Sequence, residues 1–277
     1  MPIRSSVLAT AVRHNLQPNL DQKKQSGKTI LLFLIYIMRV ACCISGLMRT
    51  YKDVYKTLIE HVIIPNKADL FISTWDIVGL STYKYAYKKP PEEPLTEEMV
   101  RSVYGDHLKS LNIEQWALQP KFVEEVRAAN KIRKIDMLPP QRQIVMRLAS
   151  MHYKLKDANR LRQEYEFNNN FSYDVVIRGR PDIKHEKKVD VSVYDITYPN
   201  IYTDKIHNYS NVCDQFALGS PAVMDIYCGM YPDILKYHEN NRRTCHAEFI
   251  MKYHLTKHNI HVNQVNFGYK LIGLKIV

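Results

Sequence analysis

A chain of 277 residues, 45% of them hydrophobic, has the length and apolar content for one large or two small globular domains, which excludes a disordered or fibrous class. Its net charge of +11 favours anionic partners such as nucleotides, but acidic residues interleave with the basic ones and no run resembles a polyanion-binding tail. Five cysteines, an odd number without a C-x-x-C pair, argue against a zinc site or disulfide framework and fit a reducing compartment, which predicts the cytoplasm.

In chain order, residues 1–38 form an extension that is first polar and basic and then apolar from Thr29 to Met38. Arg39 interrupts the apolar run before it reaches the roughly 20 residues of a membrane span. An added strand or helix suits it better than a membrane anchor, and no convincing cleavage site marks a signal peptide. The domain is expected over 39–277. Arg39–Ile44 reads as a buried strand, about Tyr51–His61 as a helix broken at Pro65-Asn66, and Asp69–Thr74 as a second strand. Residues 80–96, rich in Tyr, Lys and Pro, read as a surface loop. Thr96 caps a helix over Glu97–Tyr104. A longer helix runs from Pro140 to about Glu166, with Ile144, Leu148, Met151 and Leu155 facing the core and Arg142, Arg147, Lys154 and Lys156 on a solvated face. Tyr173–Ile177 is a third buried strand, and Val189–Tyr194 alternates like a half-buried one. Pro221 opens a helix over Ala222–Tyr231, Thr244–His254 forms another, and one or two strands close the chain after Val262.

Strands alternating with helices predict an α/β fold with a mostly parallel sheet, whose strand ends gather polar groups at one edge. In Ser45-Gly46-Leu47-Met48-Arg49 the glycine allows backbone amides to approach a phosphate, and Arg49 adds a charged contact; a plain strand-to-helix turn is the simpler reading. Asp76 would bind a ribose or base, or cap a turn, and Trp75 would stack on a base or sit in the core. Arg178-Gly179-Arg180-Pro181-Asp182 puts two guanidiniums beside one carboxylate. Asp182 suits a magnesium or manganese ion shared with phosphates, with His246 as a second ligand; a salt-bridged strand end without a ligand, and a surface or core histidine, are the plainer readings. Asp214 lies in an apolar stretch where partial burial would suit a general base, and a capping role is equally open.

Ile44–Thr50, Phe71–Asp76, Tyr173–Asp182 and Asp214–Gly219, in this order and spacing, resemble a group of small glycosyltransferases encoded by large DNA viruses, chlorella viruses among them, and by some bacteria. The resemblance spans about residues 39–255. It implies a GT-A-like αβα sandwich around a mostly parallel sheet, a nucleoside-diphosphate sugar donor, and a glycan acceptor. Xylose or another pentose or deoxyhexose is the sugar implied, with Mn2+ or Mg2+ as cofactor. By the same resemblance, Ser45, Gly46, Arg49, Thr74, Trp75, Asp76, Arg178 and Arg180 hold the donor, and Gln215, Phe216 and Glu248 meet the acceptor. Asp214 is the base of an inverting transfer, and Asp182 and His246 hold the metal. The family's D-x-D metal motif falls on Arg180-Pro181-Asp182, so a cation replaces its first carboxylate, and strong metal dependence is not implied. A viral chain would act in the host cytoplasm.

Two other classes stay open. A nuclease would use Pro181-Asp182 with Glu186 and Lys188, although the gap leaves no room for a turn between paired strands. A non-enzymatic nucleic-acid- or glycan-binding protein would use the nineteen tyrosines and positive charge on a continuous face. Nucleic acid is not an expected partner of the transferase.

Overall fold

The computed structural model describes residues 38–79, 93–118, 124, 139–205, 212–234, 236–237 and 246–272. Expectations for residues 1–37 and 80–92, and for the side chains of Arg142, Ile144 and Arg147, lie outside the described residues.

Strand β1 (Val40–Ser45) is buried along its whole length, as a central strand covered on both faces must be. Its alternation divides the core, with Cys42 and Ile44 in one layer and Ala41 and Cys43 in the other. Helix α1 (Tyr51–Leu58) buries Tyr51, Val54 and Leu58. The helix runs past the expected end at His61, through a π-helical turn (Ile59–Ile63) and a last turn (Ile64–Asn66), and breaks after Pro65-Asn66 at Lys67 in the left-handed conformation. A helical proline orphans the carbonyl four residues back. That carbonyl, on His61, accepts the Val189 N–H at 2.9 Å.

Strand β2 (Asp69–Trp75) lies parallel to β1. Thr96 caps α2 (Glu97–Tyr104) as expected, accepting the Met99 N–H at 3.2 Å. Strand β3 (Leu108–Glu114) lies parallel to β2, and α3 (Pro139–Asn169) crosses back over the sheet. Leu148 and Leu155 are buried on α3 as predicted, but so is Lys154, which was expected on a solvated face. Its ammonium lies 4.2 Å from the Trp75 ring centre and pairs with Glu114, a combination that compensates the buried charge.

Strand β4 (Val175–Gly179) begins two residues later than its apolar run predicts. The Tyr173 amide is taken by the Glu166 carboxylate at 2.7 Å, and at the other end Arg178 and Gly179 pair with Cys43 and Ile44 of β1 and so fall inside the strand. Next come β5 (Ile183–His185), β6 (Asn200–Asp204), β7 (Ala217–Gly219), α4 (Pro221–Cys228), α5 (Ala247–Lys257), β8 (His261–Val265) and β9 (Tyr269–Leu271). The half-buried strand expected over Val189–Tyr194 is instead a short 3₁₀ turn at Val191–Val193. The Asp190 carboxylate accepts the Ser192 N–H at 3.0 Å and offers that backbone a local partner in place of a ladder.

The fold is α/β. Seven strands form one sheet in the order β3-β2-β1-β4-β7-β6-β8, all parallel except β7, which runs against both neighbours. Strands β5 and β9 form a separate antiparallel pair. Helices α1 and α2 contribute to the core layer on one face, together with Ile183 of β5. Helices α3, α4 and α5 supply the other. No described helix is long and apolar enough to cross a membrane.

Candidate functional site

The chain builds the sheet outward from β1 to β2 and β3, then returns to place β4 on the opposite side of β1. Such a reversal splits the neighbouring connections apart and opens a crevice at the carboxyl ends of the two central strands. Ser45–Arg49 leave β1 there, and Arg180–Asp182 leave β4.

Gly46 has φ +110, and a side chain at this position would meet open space, so its backbone conformation is what selects glycine. Its N–H donates to the Ser73 carbonyl at 3.1 Å, so this amide does not serve a phosphate as the sequence suggests. Arg49 also takes a left-handed backbone, φ +42, uncommon for a non-glycine residue, and its N–H is held by the Val78 carbonyl at 2.8 Å. This bend aims its side chain across the crevice, where Nη1 donates to Asp182 Oδ2 at 2.8 Å.

Asp182 is held by two arginines. Arg180 donates from Nε to Oδ1 at 2.9 Å and from Nη2 to Oδ2 at 2.8 Å, so both carboxylate oxygens are engaged. Burial alone would raise the Asp182 carboxyl, but the Arg180 and Arg49 guanidiniums outweigh it and hold it below the usual range. The chain's last described residue braces this clamp. Ile272 donates its N–H to the Asp182 carbonyl at 3.0 Å and accepts the Thr50 hydroxyl at 3.0 Å.

This donor set does not fit a divalent cation. Both Asp182 oxygens face guanidiniums, and among the described residues no group of three His, Cys, Asp or Glu side chains comes together. His246, the other expected ligand, is exposed at the start of α5, with its ring 5.9 Å from that of Phe249.

Asp214 is buried and lies within electrostatic reach of Arg180 on one side and Glu248 on the other. Glu248, in the first turn of α5, has its carboxyl raised by burial and by the Asp214 charge, partly offset by its own backbone N–H and by His246. The Asp214 charge and burial together favour the protonated form of Glu248 beside a clamp of two guanidiniums.

Other expected site residues have structural roles. Trp75 is 2% exposed, stacked on Tyr153, edge-on to Trp116 and beneath the Lys154 ammonium, so its ring faces are not offered to a base. The Asp76 carboxylate accepts the Trp116 N–H at 2.8 Å and fastens a turn. Thr74 is buried, its hydroxyl 3.4 Å from the Trp75 carbonyl. Phe216 belongs to the core against Phe267 and His185. Gln215 meets the Tyr269 hydroxyl at 3.5 Å. Ser45 is buried at the crevice and its hydroxyl has no partner among the described residues.

His152 was not anticipated, although its spacing to Leu148 and Leu155 places it on the buried stripe of α3. Burial, with smaller contributions from Arg178 and His254, lowers it to about 3. Burial, then the neighbouring His61, lowers His185 to about 3. Burial, partly opposed by the Ile226 carbonyl, lowers His254 to about 4. Each is neutral when folded and takes a proton on unfolding below pH ~6.5, so the unfolded chain binds more protons and stability falls as the pH drops. The expected unfolding midpoint is nearly flat above pH 7. It declines steeply from pH 6 to 4, each histidine contributing up to about 1.4 kcal/mol per pH unit. Thermal unfolding across pH 4–8 checks this, and a flat midpoint over that window would contradict the buried neutral state.

Compared with protein-family models and with curated proteins, the chain matches none.

Proposed function

We propose that the chain is a GT-A-type glycosyltransferase that moves a sugar from a nucleoside-diphosphate donor to a glycan hydroxyl with inversion. The observation that carries this reading is the Arg49–Asp182–Arg180 clamp at the carboxyl ends of β1 and β4, with the Asp214 carboxylate within electrostatic reach of Arg180 and of Glu248. An αβα layering around a mostly parallel sheet and a reversal of strand order beside the clamp support the same reading.

In the proposed reaction the diphosphate lies against Arg49 and Arg180, whose fixed positive charge stabilises it as it leaves. Asp214 accepts the proton of the acceptor hydroxyl, whose oxygen bonds to the anomeric carbon as the bond from that carbon to the phosphate oxygen breaks. Asp182 acts here as the anion that aligns the two arginines. No step runs through a metal, because the carboxylate that would hold one is engaged by guanidiniums. The four described cysteines are unpaired and buried, which goes with action in a reducing cytoplasm.

A donor screen tests the proposal. The full chain is incubated with a panel of nucleotide sugars, once with manganese or magnesium and once with EDTA, and nucleoside-diphosphate release is measured. Release from at least one donor, retained in EDTA, is expected. No release from any donor under either condition would overturn the transferase reading, and release only with added metal would overturn the arginine-only account of the leaving group.

A further inference from the structure

Two arginines among the described residues are almost wholly buried, and their surroundings differ. Arg162 on α3, 1% exposed, is satisfied by the carboxylates of Glu166 and Asp225 and by the Asn159 amide oxygen. Arg178 on β4, also 1% exposed, has no carboxylate partner among the described residues, and its buried Nε and Nη1 have no hydrogen-bond partner there. Beside it His152, fully buried on α3, has neither ring nitrogen partnered among the described residues. A buried cation without a counter-charge costs several kcal/mol. Lys154, the other buried cation on α3, is paired with Glu114, so the missing counter-charge at Arg178 is specific to that position.

The position is not remote from the clamp. Arg178 precedes Arg180 by two residues, about 7 Å along an extended chain. The two arginines share Tyr269 as an electrostatic neighbour, and Tyr227 feels both Arg178 and Asp214. The Arg178 charge therefore lies in the same neighbourhood as the clamp and Asp214. In the proposed reaction the diphosphate is held at Arg49 and Arg180, and one sugar ring sets a comparable distance between an anomeric phosphate and a carboxylate across the ring. We infer that Arg178, with His152 beside it, recognises the carboxylate of an acidic sugar, which makes the substrate a uronic acid rather than the neutral pentose or deoxyhexose that the sequence resemblance implies. The inference rests on the transferase reading for the identity of the substrate, but the anion site itself does not.

Two measurements on the full chain test it. In the first, thermal unfolding is followed with rising sodium glucuronate, with glucose and sodium chloride as controls. The wild-type midpoint is expected to rise with glucuronate only, and the response is expected to vanish in Arg178→Met and Arg178→Gln. Without ligand, Arg178→Met is expected to unfold about 5 °C higher, because the uncompensated charge is gone. In the second, nucleotide-activated uronic acids are compared with their neutral hexose counterparts as donors, and uronate-bearing with neutral glycans as acceptors. A preference of at least about 100-fold for the acid is expected in one arm, which identifies whether donor or acceptor carries it, and Arg178→Met is expected to reduce that preference below about tenfold. Equal use of acidic and neutral sugars in both arms overturns the inference. So does a glucuronate response that survives both substitutions, or a lower midpoint for Arg178→Met without ligand. If no donor turns over at all but glucuronate still stabilises the wild type and not the variants, the transferase reading falls and the carboxylate site stands.

Discussion

Asp182→Ala is expected to lower the unfolding midpoint by roughly 10 °C and to abolish donor binding. The side chain is 3% exposed and accepts three hydrogen bonds from two guanidiniums, so its removal leaves Arg49 and Arg180 facing each other without an anion. Breaking a buried pair from one side costs about 3–5 kcal/mol, and each kcal/mol shifts the midpoint by about 2–4 °C in a domain near this size. Asp182→Asn keeps the shape but loses the charge, and is expected to fall between wild type and alanine. Acid has the same effect by another route. Because the folded carboxyl is held below its ordinary value, the stabilisation from the clamp is complete above the usual carboxylate range and is lost as the pH falls through the depressed folded value. Calorimetry for stability and equilibrium titration with the donor found in the screen give the two readouts. An alanine variant as stable as wild type, with unchanged donor affinity, would remove the clamp from the mechanism.

Asp214→Asn is expected to cut transfer by about 10²–10⁴-fold while donor affinity stays within about twofold, because a general base acts on the acceptor proton and not on the diphosphate. Glu248 supplies the complementary measurement. Its carboxyl is raised by burial and by the Asp214 charge, so its own ionisation, followed by carboxyl NMR, is expected above the ordinary carboxylate range. Asp214→Asn removes the neighbouring charge and is expected to move the Glu248 titration to lower pH. If Asp214→Asn and Asp182→Ala weaken donor binding equally, the separation of base from clamp is wrong. If Asp214→Asn leaves the Glu248 titration in place, the Asp214 charge does not act on Glu248.

Much of the framework is legible in the residues because it depends on local periodicity and local chemistry. The unbroken apolar run of β1, the Thr96 cap of α2 and the 3- and 4-residue spacing of Leu148, Met151 and Leu155 on α3 each specify their element from a few neighbours. The same local reading misplaces features decided by distant partners. The helix that α1 begins passes His61 and reaches Asn66 because Val189, more than a hundred residues on, satisfies the carbonyl that Pro65 frees. Val189–Tyr194 alternates like a strand but turns on the Asp190 side chain. Lys154 sits in a helical charge pattern that suggests solvent, yet Glu114 and Trp75 enclose it.

The site divides along the same line. The residues alone place Arg49, Arg178, Arg180, Asp182, Asp214 and Glu248 at strand ends, beside a short apolar stretch or near a helix start. How they meet is a tertiary outcome, because the Arg49–Asp182 contact joins residues 133 apart and the approach of Asp214 to Arg180 and Glu248 depends on how separate elements pack. The packing brought Arg49 across to Asp182, turned Trp75 and Phe216 into core, and set Glu248 within reach of Asp214. It also separated two arginines that read alike in sequence: Arg180 faces a carboxylate, and Arg178, two residues earlier, is buried with its Nε and Nη1 unpartnered among the described residues.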